Sequence, residues 1–430
     1  MTGGENSDRM ATSTAVSESA LIRYSRWSLA ATVACMPLYV VRYKVGPIPT
    51  TLLEDLILIT IGLYAAGRIQ NRDWRPARAS LEIPIIVLLV AGLVGIAISS
   101  DHVGAVGIYR AYFIEPVALF YVAIDLLKTP HDLKVVLLGL AIGATIFALM
   151  NLGAWVVALA THQTIHSGDA PEALYTSPNA VAMFLEPPLA IAAGFALYGQ
   201  DRRERRAAIA CLSIIFVALM ATLSRAGWLT LAVLALTAVI TMPNRKVKAV
   251  LLGGAVVGGF AVAQIPIVHE RLARQLDPSF NFNTFEGRLQ IWSDTLHMLR
   301  DHPILGAGLR NYAQVMAPYV SGNRIPELYP HNVYLAMWSE LGLLGLAAFV
   351  AILGMLLWRG WRGFYRARDF ARPLLWGASA AFVAIAVHGF FDTPYYKNDL
   401  SVEFWMVAAL EVAAIRAFLK PTTGNPPLQR

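Results

Sequence analysis

Apolar residues come along the chain in long blocks, at 27–43, 50–67, 83–100, 104–126, 133–160, 178–199, 207–223, 225–241, 247–266, 333–357, 373–391 and 400–419. Each block reaches about 17 residues or more, the length a helix needs to cross ~30 Å of hydrocarbon. Over such runs only a helix satisfies every backbone group internally. The pattern therefore predicts an all-α polytopic membrane protein with about twelve transmembrane helices. Between the ninth and tenth blocks the pattern changes. There Leu289, Trp292, Leu296 and Leu299 recur at helical spacing within polar sequence, the mark of an amphipathic helix lying on protein or on the membrane surface. Glu286 suits the positive N-terminal end of that helix, and Pro303 stops it. The layout expected is an N-terminal tail (1–26), nine spans (27–266), one long outer segment (267–332), three more spans (333–419) and a tail (420–430).

Composition agrees: 57% of residues are hydrophobic and 15% charged, with a mean hydropathy of +0.54. A soluble chain carries roughly a quarter charged residues. The two cysteines, Cys35 and Cys211, sit inside apolar blocks, so no disulfide framework is implied. The polar first 26 residues read as a disordered cytoplasmic tail. No small-residue cleavage site follows the first block, which reads as a retained signal anchor.

The net charge of +7 raises the question of a nucleic-acid partner, but the position of the charge answers it. Short loops such as GQDRRERRA, MPNRKVK and WRGWRGFYRARDFAR are strongly basic. With the N-terminus inside, 24 of the 35 Lys and Arg residues fall in cytoplasmic segments and their flanks, and ten fall outside. Arg110 remains within the fourth block. This is the positive-inside signal together with contact to anionic membrane lipids, and needs no nucleic acid. Both termini are then cytoplasmic, and residues 267–332 face the outer side.

Ionisable residues within spans are costly and mark function. Glu54, Asp55, Arg110, Glu115, Glu186, Arg225, Glu340, His388, Asp392 and Glu403 all gather toward the outer ends of their blocks, and only Asp125 and Glu411 break the trend. As a set they predict a polar cavity open outward. Singly, each reads equally as an interfacial residue or as half of a structural pair such as Arg110 with Glu186. In ELYPHNVYLAMWSELGLLG, Pro330 precedes His331, Asn332 stands where a helix cap belongs, and Glu340 follows roughly 13 Å deeper along the helix. Imidazole as a class titrates near 6.5 and suits a general base at neutral pH; a plain interfacial histidine or cap is the bland alternative. Arg288 lies beside the N-terminus of the amphipathic helix, where anions are already favoured and a guanidinium adds a bidentate phosphate contact.

Several chemistries lack their signatures. There is no H-E-x-x-H, C-x-x-C or D-x-D, no phosphate-binding G-x-x-x-x-G-K-[ST] and no G-x-S-x-G. Neither a resident metal nor a cofactor is expected.

LSRAGWLT at an outer turn, then GRLQIW, HPILGAG and HNVYLAMWSELGLLG in that order, resemble the O-antigen ligase and polymerase superfamily of bacterial inner-membrane enzymes. The likeness covers residues 222–345 at motif level, and the span layout extends it along the chain. It implies a donor glycan on undecaprenyl diphosphate and, for a ligase, transfer of O-antigen to lipid A-core as acceptor on the periplasmic face. By the same resemblance Arg225 and Arg288 match the family's essential arginines and His331 its essential histidine. The arginines would neutralise the diphosphate leaving group. His331 would take the acceptor hydroxyl's proton, with Asn332 or Glu340 orienting its ring. Lys397, Arg324 and Arg110 are lesser candidates for lipid phosphates, while Glu186 and Asp392 are candidates for lining the cavity. Three alternatives stay open: an O-antigen or exopolysaccharide polymerase, a protein O-oligosaccharyltransferase and, more distantly, a polysaccharide-lipid transporter. A transporter would predict repeated or broken helices in two halves, and no repeat is evident.

Overall fold

A computed structural model describes residues 19–419 apart from 47, 74, 166–169, 267, 271, 272, 274–283 and 323. The expected tail from 420 onward, most of the N-terminal tail and the polar stretch at 274–283 lie outside the described residues. Within them the helices are α1 (Ala20–Ala34), α2 (Leu52–Gln70), α3 (Glu82–Ile98), α4 (His102–Leu126), α5 (Pro130–Ala160), α6 (Pro178–Tyr198) and α7 (Arg202–Ala221). They continue with α8 (Arg225–Thr241), α9 (Arg245–Ala263), α10 (Thr284–Asp301), the short α11 (Tyr312–Met316), α12 (Val333–Arg366), α13 (Ala371–His388) and α14 (Asn398–Phe418). Every apolar block after the first falls largely on one of these helices, the first only as far as Ala34, and α10 is the amphipathic one.

Five helices (α4, α5, α6, α12 and α13) are long and apolar enough to cross a membrane, and α3 and α8 are shorter apolar helices. The peripheral helices turn large apolar side chains outward, with Ile83 79% and Phe260 71% exposed. An apolar exterior of this kind suits lipid and not water, so the chain is an all-α membrane protein. The helix at the centre is its inverse: α14 is buried along nearly its whole length yet carries Asp399, Glu403 and Glu411. α13 packs closely along α6, where a Cβ on Gly194 would come within 2.3 Å of the Pro373 carbonyl oxygen.

Several features depart from the simple pattern. The first helix already begins at Ala20, capped by Ser19, and stops at Ala34. A two-stranded antiparallel hairpin, β1 (Arg42–Val45) with β2 (Ile48–Thr51), bridges the gap between the first two apolar blocks and takes in the end of one and the start of the next. Thr51 then caps α2 by accepting from the Glu54 N–H at 3.2 Å. α4 contains a π turn at Arg110–Ile114, a distortion common at functional positions.

A further departure is a break within α12. Gly342 has φ +72 and ψ −178, a backbone region essentially open to glycine alone. The run Ile304–Gly308 docks into the break. Leu343 donates to the Ile304 carbonyl at 2.9 Å and Ala307 donates to the Ser339 carbonyl, so the freed backbone groups find partners in another segment. Leu309 donates to the Gly95 carbonyl at 3.0 Å and fastens the same loop to α3. HPILGAG and SELGLLG thus form one joint.

Candidate active site

His331 sits at the entrance of α12, one residue before the cap. Asn332 accepts from Tyr334 and Leu335 N–H groups, each at 3.0 Å, and its amide donates to the Phe390 carbonyl at 3.1 Å. This is a structural cap, so Asn332 does not touch the ring. The His331 backbone is left-handed at φ +49, a region uncommon outside glycine in which histidine is among the better-tolerated residues. Trp292 of α10 donates from Nε1 to the carbonyl of the preceding Pro330 at 3.1 Å, holding this turn against α10. Tyr329 packs edge-on against the imidazole with ring centroids 5.0 Å apart.

The partner of the ring is Asp392, from the loop between α13 and α14. Its Oδ1 lies 3.3 Å from His331 Nδ1 and also accepts from the Thr393 N–H at 3.0 Å. Its Oδ2 accepts from Asn179 Nδ2 at 3.1 Å and stands 3.9 Å from Arg288 Nη2. The Asp392 side chain is nearly buried, so desolvation works against its charge. The hydrogen bond to His331, and the charges of His331, His388 and Arg288, outweigh that and hold its pKa down at about 2. A carboxylate can only accept, so it favours the imidazole tautomer with its proton on Nδ1, in which Nε2 carries the lone pair. Nε2 points toward the open side, 4.0 Å from Glu327 Oε2, with the ring 28% exposed. Burial lowers the pKa of Arg288, opposed by Asp392 beside it.

Arg225 joins this arrangement through its neighbour. Ser224 caps α8 by accepting from the Gly227 N–H at 3.1 Å, and its hydroxyl donates to Asn179 Oδ1 at 2.8 Å. Asn179, in the first turn of α6, therefore bridges the start of the Arg225 helix to Asp392. The structure brings His331, Arg288 and Asp392 into direct contact and ties the Arg225 turn to them.

The remaining candidates lie elsewhere. Glu340 is buried below the site and accepts from the Arg310 N–H at 3.3 Å, so it braces the joint and does not orient the imidazole. Arg324 pairs with the buried Asp294 of α10. Glu186 and Arg110 do not pair with each other: Glu186 Oε1 binds His388 Nδ1 at 2.7 Å, while Arg110 binds Glu54 at 2.7 Å and Glu115 at 3.4 Å. Lys397 follows Asp392 in the same loop, with its Nζ 5.4 Å from the centroid of the Tyr175 ring.

The face by which α10 docks also differs from expectation. Asp294, Thr295, Met298 and Leu299 face the protein, whereas Leu289 and Leu296 are more than 40% exposed. Asp294 is the reason, since it must be buried to bind Ser321 and Arg324. Asn179 and Ser224 were not singled out from sequence. The capping pattern of a serine two residues before Ala226 marks Ser224, but nothing local marks Asn179.

Residues 209–350 match the family model described as O-antigen ligase. That segment holds Arg225, Arg288 and His331 and excludes Asn179 and Asp392. No curated protein matches the chain.

Proposed function

With an O-antigen ligase domain at residues 209–350 as the premise, we propose that the protein is an inverting, metal-independent glycosyltransferase. It moves O-antigen from undecaprenyl diphosphate onto lipid A-core at the periplasmic face of the inner membrane. Both termini are cytoplasmic in this reading, and the twelve apolar helices span the bilayer.

The observation that carries the proposal is the carboxylate of Asp392, bound on one oxygen to His331 and facing Arg288 with the other. The acceptor sugar hydroxyl attacks the anomeric carbon while the bond from that carbon to the diphosphate oxygen breaks. His331 Nε2 takes the hydroxyl proton, and Asp392 stabilises the imidazolium that forms. Arg288 and Arg225 meet the negative charge that develops on the departing diphosphate. The proton then leaves Nε2 for the diphosphate or solvent, restoring the base. A diphosphate is already a good leaving group, which is why the proposed reaction uses no metal. Direct displacement at one carbon inverts it.

The test is the glycolipid profile of cells whose only copy carries His331→Ala. Core-only lipid A with accumulated lipid-linked polymer is expected, from a protein that still folds and inserts. Normal capping of lipid A-core by that variant would refute the role of His331. Core bearing a single repeat in cells lacking the gene would instead identify a polymerase.

A further inference from the structure

A large cavity among the described residues lies away from His331, which is not in its lining. It has a volume of about 990 Å³ and lies between the β1–β2 hairpin, the first turns of α4 and Arg310. Its lining includes four basic side chains, Arg42, Lys44, Arg110 and Arg310, against the acids Glu54 and Asp101.

Both acids are already engaged. Glu54, 3% exposed, accepts from Arg110 and Asn398 at 2.7 Å each and from Thr50 at 2.9 Å. Asp101 caps α4 through the Gly104 N–H at 2.9 Å and pairs with Arg310 at 3.3 Å. That leaves Arg42 and Lys44 in excess. They stand two residues apart on β1, hence on the same face of the strand, and both are exposed. Arg42 lies over the Tyr39 ring at 5.7 Å, and Lys44 forms no ion pair among the described residues. The rim is apolar and open: Val103 is 86% and Val106 52% exposed. A cationic chamber with an apolar rim fits an amphiphile whose headgroup is anionic and whose chains stay in lipid. Its volume is that of a site for a molecule and not for a lone ion.

The chamber also adjoins the reacting centre. Tyr112, in its wall, accepts at its carbonyl from Tyr395 Oη at 3.0 Å, and Tyr395 belongs to the loop that carries Asp392. Asn398, also in the wall, follows Lys397. No residue of α10 lines it, so Arg288 serves a different anion.

We propose that this chamber is the acceptor's anchoring site: Arg42 and Lys44 bind a phosphate on an acylated sugar, whose chains leave over Val103 and Val106. The acceptor's role rests on the transferase reading above, whereas the site itself does not. The two lipid substrates are then held by separate cationic groups on either side of the Asp392 loop.

The test is equilibrium binding to the full-length protein in phosphatidylcholine nanodiscs, comparing wild type with Arg42→Gln/Lys44→Gln. The probes are a bisphosphorylated acyl-glucosamine disaccharide, the same molecule after phosphatase treatment, phosphatidylglycerol and inorganic phosphate. Loss of two phosphate contacts at a membrane surface should weaken the bisphosphorylated probe by about 30-fold. The dephosphorylated probe should bind both proteins alike, and His331→Ala should bind as wild type does. Equal binding of the bisphosphorylated probe by the double variant, with an unchanged unfolding midpoint, would overturn the site. Equal competition by phosphatidylglycerol or by inorganic phosphate would overturn the acceptor assignment. Binding as expected without any glycan transfer would leave the site standing and sink the transferase reading instead.

Discussion

Replacing Asp392 by asparagine preserves the size and most hydrogen bonds of the side chain while removing its charge, which makes it the sharpest probe of the site. The magnitude follows from the carboxyl group itself. Holding a nearly buried carboxylate from the usual 3.8 down to about 2 reflects about 2 kcal/mol of favourable interaction with His331, His388 and Arg288. Most of that is available to an imidazolium at His331, whose Nδ1 is the nearest cationic partner at 3.3 Å. An asparagine also permits the wrong tautomer, with the proton on Nε2, in which the base is blocked. We expect Asp392→Asn to lower kcat on the order of 10²-fold with KM changed little. The assay follows glycan transfer from a lipid diphosphate to a phosphorylated glycolipid by gel mobility. A second readout is stability against pH. The depressed pKa means Asp392 stabilises the fold above its unfolded value near 4, and that contribution is lost as pH falls toward about 2. The variant should lack this acid dependence. Wild-type kcat in a variant whose acid profile is altered as expected would refute the pairing of Asp392 with catalysis.

Two further perturbations follow from the geometry. Arg225→Lys and Arg288→Lys should each reduce turnover at least about tenfold, since an ammonium lacks the planar fork for a diphosphate; unchanged rates in both would remove them from donor recognition. Gly342→Ala places a Cβ 2.4 Å from the Ile304 carbonyl oxygen at a backbone angle alanine avoids, so destabilisation of about 3 kcal/mol is expected, read as a lower unfolding midpoint in detergent. A midpoint equal to wild type would show that the α12 break does not depend on glycine.

Much of the fold was legible because lipid imposes a simple rule: a run long enough and apolar enough becomes a helix. The ends of runs were harder. Residues 35–43 are apolar enough to extend the first helix, yet a 3₁₀ turn holding Pro37 follows at Met36–Val40, and a hairpin turning at Gly46 then walls a cavity. The α12 break was hidden for a related reason, because LGLLG satisfies a helical pattern and only the docked Ile304–Gly308 loop makes a break tolerable. At the site, residues near His331 in sequence were natural choices to orient its ring, and both Asn332 and Glu340 have other work. Asp392 is 61 residues away, and Asn179 lies on the far side of α8 in sequence; only packing brings them together. Pairings among buried charges were equally nonlocal, as His388 rather than Arg110 beside Glu186 shows.

The position of Asp392 outside residues 209–350 carries a consequence for how the domain can exist. Arg288 and His331 meet at the carboxylate of Asp392, and the segment that bears them supplies Glu327 on the Nε2 side of the ring but not the carboxylate on its Nδ1 side. Their assembly depends on the loop before α14 arriving with its negative charge, and on α6 arriving with Asn179. Residues 209–350 alone would keep Arg288 and His331 and lose the carboxylate that lies between them. The candidate site is therefore a property of the assembled bundle, completed only when the loop between α13 and α14 is in place.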